Sequence, residues 1–322
     1  MTTAQGRRQC VVAAAKGDGF RLATYNLQNL GRADNPGQVY DRKLEFLSGV
    51  LRELDADLVV VNEIREPDSF EDLAAGLEFY TDRFLGDAPT DTRRIQIGIL
   101  TRLEVLARGQ WYEFPTVVPG RGGEVESAKF RRPVPWVKVR VPDGQVLLAA
   151  GVHLKSDRPE VESLPDSELP RRRVVLGHAL SVTGRTMEAA GLRCLVDSAM
   201  GRRSADHYAV IGDFNDGPES DQVRLVMGVE GDLSWAGDGE RLVLGSTSRL
   251  VPAESRISYS GRMRQELLDH ILFSRELDAR LVRAGIEVRL LQEPRDKGTE
   301  GRQQGYPRSD HAPVWADFGS DD

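Results

Sequence analysis

The stretch Tyr208-Ala209-Val210-Ile211-Gly212-Asp213-Phe214-Asn215-Asp216-Gly217-Pro218 constrains this chain more than any other. Apolar residues bounded by turn formers read as a short buried strand, and Gly212 and then Gly217-Pro218 end it. Asp213 and Asn215 therefore stand where a strand opens into a loop. Residues two apart on an extended segment share a face, so the Asp213 carboxylate and the Asn215 amide can meet one ligand. A proton acceptor beside a neutral donor suits activation of a water and support of an oxyanion. The same residues also suit a plain strand end closed by an Asx turn, with Asn215 left-handed.

The pattern of an apolar run ending in a polar group recurs along the chain. Phe20 to Asn26 alternates and reads as a first strand ending in Asn26. Leu44, Leu47, Val50, Leu51 and Leu54 then recur at helical spacing, predicting an amphipathic helix from Tyr40 to Leu54. Asp57 to Glu63 is a continuous apolar strand with a carboxylate at its end. Because Asp68 with Glu71 supplies a capping signature for the next helix, Glu63 reads as a hard oxygen ligand for a divalent cation such as magnesium. Further strands are predicted over Ile95 to Thr101 and Val134 to Val141. The turn Pro142-Asp143-Gly144 joins the latter to Gln145 to Leu154 as a hairpin, which runs out into His153-Leu154-Lys155-Ser156.

Asp157 to Pro170 is acidic, holds three prolines and reads as a flexible rim. A helix follows from Arg171 to Glu188, with Val174, Val175, Leu176 and Leu180 expected on its buried side, while His178 and His207 read as structural or surface groups. Glu219 to Arg256 shows no clear order. Glu266 to Phe273 reads as a strand carrying Asp269-His270 in an apolar setting, where a buried charge needs a partner. Val282 to Leu291 reads as another strand and Gln292 to Arg308 as a polar loop. Ser309-Asp310-His311 then leads into a terminal strand.

Six separated elements thus carry Asn26, Glu63, His153, Asp213 with Asn215, Asp269, and Asp310 with His311. In this order they resemble the endonuclease/exonuclease/phosphatase superfamily, which includes DNase I-like nucleases, abasic-site endonucleases, sphingomyelinases and inositol-polyphosphate phosphatases. Gly212-Asp213-Phe214-Asn215 and Ser309-Asp310-His311 are its most specific parts. Tyr25 to Leu30, Gly151 to Ser156 and Leu268 to Leu272 look most like bacterial nuclease-type members.

The resemblance implies an α/β fold: a four-layer sandwich of two mainly antiparallel sheets packed face to face, with helices outside and the site at one edge. It also implies metal-dependent hydrolysis of a phosphoester, with DNA or RNA as the expected substrate and a small phosphorylated metabolite or lipid headgroup as the alternative. On that reading Glu63 binds magnesium or manganese with Asn26 and Asp310 close by. Asp213 orients or deprotonates the attacking water, Asn215 and His153 donate to nonbridging oxygens, and Asp269 fixes the tautomer of His311. Lys155 and Arg131 are further candidates for phosphate contact. Two positions depart from the pattern: Gln28 stands where some relatives carry an acidic residue, and His270 where relatives often carry an aromatic one, so His270 either packs or touches substrate.

Composition bounds the rest. With 322 residues, 40% of them hydrophobic, and no repeat or low-complexity tract, the chain reads as one domain over residues 20–322 after a flexible leader, 1–19. In that leader Val11 to Ala15 is too short for a signal-peptide core. Elsewhere no apolar stretch approaches the ~20 residues of a membrane span. Cys10 and Cys194 lack metal-site spacing and read as inert thiols in a reduced cytoplasmic setting, with secretion as the alternative if a leader is missing. A net charge of -7 gives no global pull toward a polyanion, yet leaves room for an enzyme that touches a few phosphates and lets go. Trp111, Tyr112 and Arg121 are the candidate wedges for a duplex, and a monomer is expected. A noncatalytic scaffold would be expected to have lost some of these groups.

Overall fold

In the computed structural model the first half of the chain runs β1 (Phe20–Leu30), α1 (Gln38–Leu54), β2 (Leu58–Ile64), α2 (Pro67–Ala75), β3 (Asp82–Leu85), β4 (Gln96–Thr101), β5 (Glu104–Val117), β6 (Val125–Arg140) and β7 (Val146–His153). The second half runs α3 (Pro170–Gly201), β8 (His207–Asp213), α4 (Asp221–Met227), β9 (Gly245–Ser246), β10 (Tyr259–Ser260), β11 (Gln265–Glu266), β12 (Asp269–Phe273), α5 (Arg275–Arg280), β13 (Leu281–Ile286) and β14 (Val314–Phe318). The described residues are 19–89, 94–117, 123–228, 243–261, 264–291 and 308–320. The expected leader up to residue 18, with Cys10, lies outside them, as do Arg121 and nearly all of the expected loop from Gln292.

Two six-stranded sheets form, ordered β13-β14-β1-β2-β4-β3 and β5-β6-β7-β8-β12-β9. Each contains one parallel pair, β1 with β2 and β7 with β8. The remaining pairings are antiparallel.

Alternation along the strands explains how the sheets stack. Leu22, Leu58 and Val60 of one sheet meet Leu147, Ala149, Ala209, Ile211 and Ile271 of the other in a shared core. The opposite faces of the same strands carry Ala23, Tyr25, Val59 and Val61, which pack with Leu47 and Leu51 of α1 and Phe70 of α2. On the second sheet Leu148, Val152, Val210 and Leu272 pack with Leu192 and Val196 of α3 and Val223 of α4. Helix, sheet, sheet and helix make the four layers that the family resemblance implied. Each fully buried Val, Leu or Ile in them stabilises the fold by roughly 1.5–3 kcal/mol.

Two expectations are corrected. α3 is longer than expected and does not bury Val174, Val175, Leu176 or Leu180, which are 39–68% exposed. Its buried stripe is Gly177, Ser181, Arg185, Glu188, Leu192, Val196 and Ala199, so the first half overhangs the sheet and only the second half packs on the core. α2 starts behind Glu66 with Pro67 in its first turn and no side-chain cap bond, so Asp68 is a first-turn acid and not the cap. Cys194, expected as a small buried or inert thiol, is an exposed free thiol on α3.

A candidate active site at the mouth between the sheets

The rows that fill the inter-sheet core continue by one more step into polar side chains. Leu22 is followed on its face by Thr24 and Asn26, and Ile211 is followed by Asp213. Ala149 is likewise followed by Gly151 and His153, and Asp269 precedes Ile271 and Phe273 on β12. Both parallel pairs end at the same edge, where the antiparallel β12 and β14 begin. The polar ends therefore converge, around a cavity of about 220 Å³ lined by Glu63, His153, Asp213, Asn215, Asp310 and His311 among others.

One side of this cavity is buried and internally paired. His311 Nδ1 meets Asp269 Oδ2 at 2.7 Å, and the Ser258 hydroxyl donates to the same oxygen at 2.7 Å. Those contacts supply the partner that a buried Asp269 requires. Asp213 Oδ2 lies 3.5 Å from His153 Nε2 and 3.9 Å from His311 Nε2. Burial disfavours the His311 imidazolium, but the carboxylates of Asp269, Asp213 and Asp310 outweigh it and raise its pKa to about 10. Burial, reinforced by the charge of Asp269, pushes the Asp213 carboxyl up to about 7. His153 is held well below its usual value by burial, with Arg132 and His311 adding repulsion. The three groups thus differ in proton affinity within one cluster, which is the arrangement acid/base chemistry uses.

The other side is open and rich in oxygen. Glu63 Oε2 accepts the Asn29 N–H at 2.8 Å, and its Oε1 lies 3.3 Å from the Asn26 amide nitrogen. The Asn26 amide also donates to Asp213 Oδ2 at 2.9 Å and so ties the two sides together. Asp310 takes its place through its N–H, which donates to Gln28 Oε1 at 3.2 Å, while the Ser309 hydroxyl donates to the Asn26 carbonyl at 2.6 Å. Burial, with the nearby charge of Glu63, raises the Asp310 pKa. Lys43 lies buried behind this wall with Nζ 2.5 Å from the Gln28 carbonyl, and burial brings its pKa down to about 8.

Glu63 reaches the cavity by a backbone device. Val59 and Val61 face the helix layer, so alternation would send Glu63 there too. Its φ of 65° and a shift in β2–β4 register beyond Asn62 turn it into the cavity instead. Gln28, Asn29 and Asn215, which also line the cavity, are left-handed as well, with φ between 51° and 55°. Left-handed non-glycine residues carry conformational strain, and such strain concentrates at functional sites.

Asn215 satisfies both expectations for its motif at once. Its N–H donates to Asp213 Oδ1 at 2.8 Å, which is the Asx turn. It still lines the cavity, brought there by its left-handed backbone, since β8 ends at Asp213. Its amide nitrogen donates to the Leu154 carbonyl at 2.9 Å, fastening the turn to the end of β7.

Three candidate contacts lie away from the cavity. Lys155 folds its Nζ onto the carbonyls of Ser156 and Arg158 and the Ser181 hydroxyl. Arg131 pairs with Glu160. His270 is fully buried, meets the Asp216 carbonyl through Nε2 at 2.9 Å and packs edge-on against Phe214, so it packs and does not touch the cavity. Trp111 packs on the helix-side core, and the Tyr112 hydroxyl donates to Asp87, so neither stands free as a wedge.

Sequence reading missed four groups on the cavity wall, Arg132, Asn29, Tyr259 and Arg264. Arg132 is the neighbour of the residue chosen instead, and it donates to the carbonyls of His153 and Leu154. The Tyr259 ring lies tilted against His311 with centroids 5.0 Å apart, and Arg264 pairs with Asp157 across the mouth. An aromatic residue and several arginines shortly before Leu268-Asp269 were the available signal.

Glu63 and Asp310 offer hard anionic oxygens on an open wall, the donor chemistry that suits magnesium or manganese, which keep waters and substrate oxygens as further ligands. Asp213, Asp269 and His311 also bring ligand-type atoms within 4.8 Å of one another. There the His311 Nδ1 is already engaged by Asp269, which favours proton handling.

The model of the endonuclease/exonuclease/phosphatase family matches residues 23–311. Among solved structures, an endonuclease/exonuclease/phosphatase from Bacteroides vulgatus is 18% identical over 94% of this chain and 99% of its own, with a TM-score of 0.57. TDP2 from C. elegans is 12% identical over 95% of this chain and 76% of its own, with a TM-score of 0.55. The human Nocturnin catalytic domain with bound sulfate anion is 14% identical over 94% of each chain, with a TM-score of 0.57. No curated protein matches the sequence. No helix among the described residues is long and apolar enough to cross a membrane.

Proposed function

The chain belongs to the endonuclease/exonuclease/phosphatase family and is a phosphoric-ester hydrolase, and from that premise we propose that it is a divalent-metal-dependent nuclease cleaving DNA or RNA phosphodiester bonds by attack of water. The observation that carries this reading is the contact between the two walls: the Asn26 amide spans 2.9 Å to Asp213 on the proton-handling side and 3.3 Å to Glu63 on the oxygen-rich side. Glu63 and Asp310 would hold magnesium or manganese, with Asn26 beside them, and the bound ion would neutralise charge on the phosphate and the leaving oxygen.

Asp213 takes the proton of the attacking water, since its raised pKa makes it a base near neutral pH. His153, held neutral, and Asn215 donate to the nonbridging oxygens. Asp269 fixes the proton on His311 Nδ1, and the resulting imidazolium presents its Nε2–H to the phosphate. The net charge of -7 keeps a second reading in play, a phosphatase or phosphodiesterase of a small phosphorylated metabolite or lipid headgroup.

Magnesium-dependent turnover of supercoiled plasmid, single-stranded DNA, RNA and a panel of small phosphoesters separates the two, with Asp213→Ala and His311→Ala alongside. Metal-dependent cleavage of the polymers, lost in both variants, is expected. Turnover of a small phosphoester alone, lost in the same variants, would keep the mechanism and replace the substrate.

A further inference from the structure

The middle of α3 buries polar side chains where a helix on a sheet ordinarily buries apolar ones. Ser181, Arg185 and Glu188 are 0%, 5% and 4% exposed and lie on one face of the helix. None of them lines the cavity. Each instead binds the segments that carry the cavity wall.

Glu188 Oε1 accepts the Arg131 N–H at 2.9 Å, and its Oε2 accepts the Lys155 N–H at 2.8 Å. Arg185 donates from Nη1 to the Lys155 carbonyl at 3.0 Å and from Nε to Asp216 Oδ2 at 2.9 Å. The Ser181 hydroxyl donates to the Arg158 carbonyl at 2.6 Å. Arg131 precedes Arg132, Lys155 follows His153 by two residues, and Asp216 follows Asn215. Apart from the bond of the Ser181 hydroxyl to the Gly177 carbonyl within α3, these bonds end within two residues of the cavity wall or on the loop that rims it.

The reason for polar groups here is local. β7 ends at His153 and β8 at Asp213, so the backbone beyond them leaves the ladder, and its N–H and C=O groups need other partners. Leucines at 185 and 188 could fill the space but could not bind that backbone. A carboxylate and a guanidinium taken out of water are tolerated when their polar atoms are engaged in this way.

We propose that Glu188 and Arg185 are positioning residues that, through the backbone at Arg131, Lys155 and Asp216, hold Arg132, His153 and Asn215 in the geometry hydrolysis needs. The proposal rests on the reading of this cavity as a hydrolytic site. A displacement of about 1 Å in such a wall costs on the order of a hundredfold in rate.

The test measures magnesium-dependent turnover of plasmid DNA and bis(p-nitrophenyl) phosphate by wild type, Glu188→Gln, Arg185→Lys, His153→Ala and the double variant Glu188→Gln/His153→Ala. Thermal midpoints and amide hydrogen exchange over residues 153–158 and 213–217 are read on the same preparations. The expected result is a fall in kcat of about 10- to 100-fold in Glu188→Gln and Arg185→Lys with little change in KM. Faster exchange in the two segments should accompany it. Adding Glu188→Gln to His153→Ala should cost clearly less than Glu188→Gln costs alone, because the part of the positioning that acts through His153 is already gone. An unchanged kcat in folded variants, or an equal fall in the His153→Ala background, overturns the proposal by leaving the stripe a merely structural role. Should Glu188→Gln fail to fold, Arg185→Lys carries the same comparison through kcat and exchange. A wild type that cleaves nothing sinks the hydrolytic reading itself, whereas an active wild type with unchanged variants sinks this proposal alone.

Discussion

The two walls of the cavity are built from the same device, a strand whose last residues are polar, and they come out chemically opposite. On the second sheet the strands stay regular to their ends, so His153, Asp213 and Asp269 continue the core row and are buried among one another. On the first sheet the backbone turns left-handed at Gln28, Asn29 and Glu63, which re-aims those groups into the open cavity. A regular strand end yields desolvated groups, with displaced proton affinities at His153 and Asp213, whereas an irregular one yields less buried oxygens fit for a hard cation.

The sharpest way to break this contrast is a pair of substitutions compared across magnesium concentration. Asp213→Ala should lower kcat by about 10²- to 10⁴-fold at any magnesium level, as loss of a general base does. Glu63→Gln should lose comparable activity at low magnesium and regain much of it as the metal is raised. Recovery of both, or of neither, would show that the walls do not divide the chemistry.

A smaller effect concerns stability and pH in metal-free protein. The folded-state pKa of His311, about 10, lies above the ordinary 6.5, so its stabilising contribution is complete below about pH 6.5, declines as pH rises and is gone above about pH 10. Urea midpoints of wild type should therefore fall between pH 7 and 10, and those of His311→Gln should change less. Equal slopes would remove His311 from the charged wall.

The smallest effect is expected far from both walls, on α3. Val175→Ser should change stability by no more than about 0.5 kcal/mol, whereas Leu192→Ala should cost about 2–5 kcal/mol. Similar losses, measured by chemical denaturation, would restore the apolar face that the sequence suggested.

The strand ends were legible because an apolar run that stops in a polar residue leaves few places for that residue to go. Asn26, His153, Asp213 and Asp269 follow from counting by twos along their strands. Glu63 was found by its position, although the left-handed turn that aims it leaves no mark in the sequence. Arg132 was missed in favour of Arg131 because β6 breaks its alternation there. Its residues between Lys129 and Val134 face the single Tyr112 of β5, and a period-2 reading does not survive that bulge. α3 was misread for a different reason. Periodicity assumes that apolar side chains are the buried ones, and in its middle the helix buries Ser181, Arg185 and Glu188 instead.

β14 sits between β13 and β1, so the oldest and the youngest described strands of a growing chain are neighbours. Asn26 leaves the ribosome nearly three hundred residues before Asp310 and His311. At about 5–20 residues per second that interval lasts some tens of seconds. Throughout it the nascent polypeptide, tethered beside messenger and ribosomal RNA, lacks one carboxylate and the imidazole that complete the cavity. The order of the strands thus withholds a finished site until Asp310 and His311 have been made.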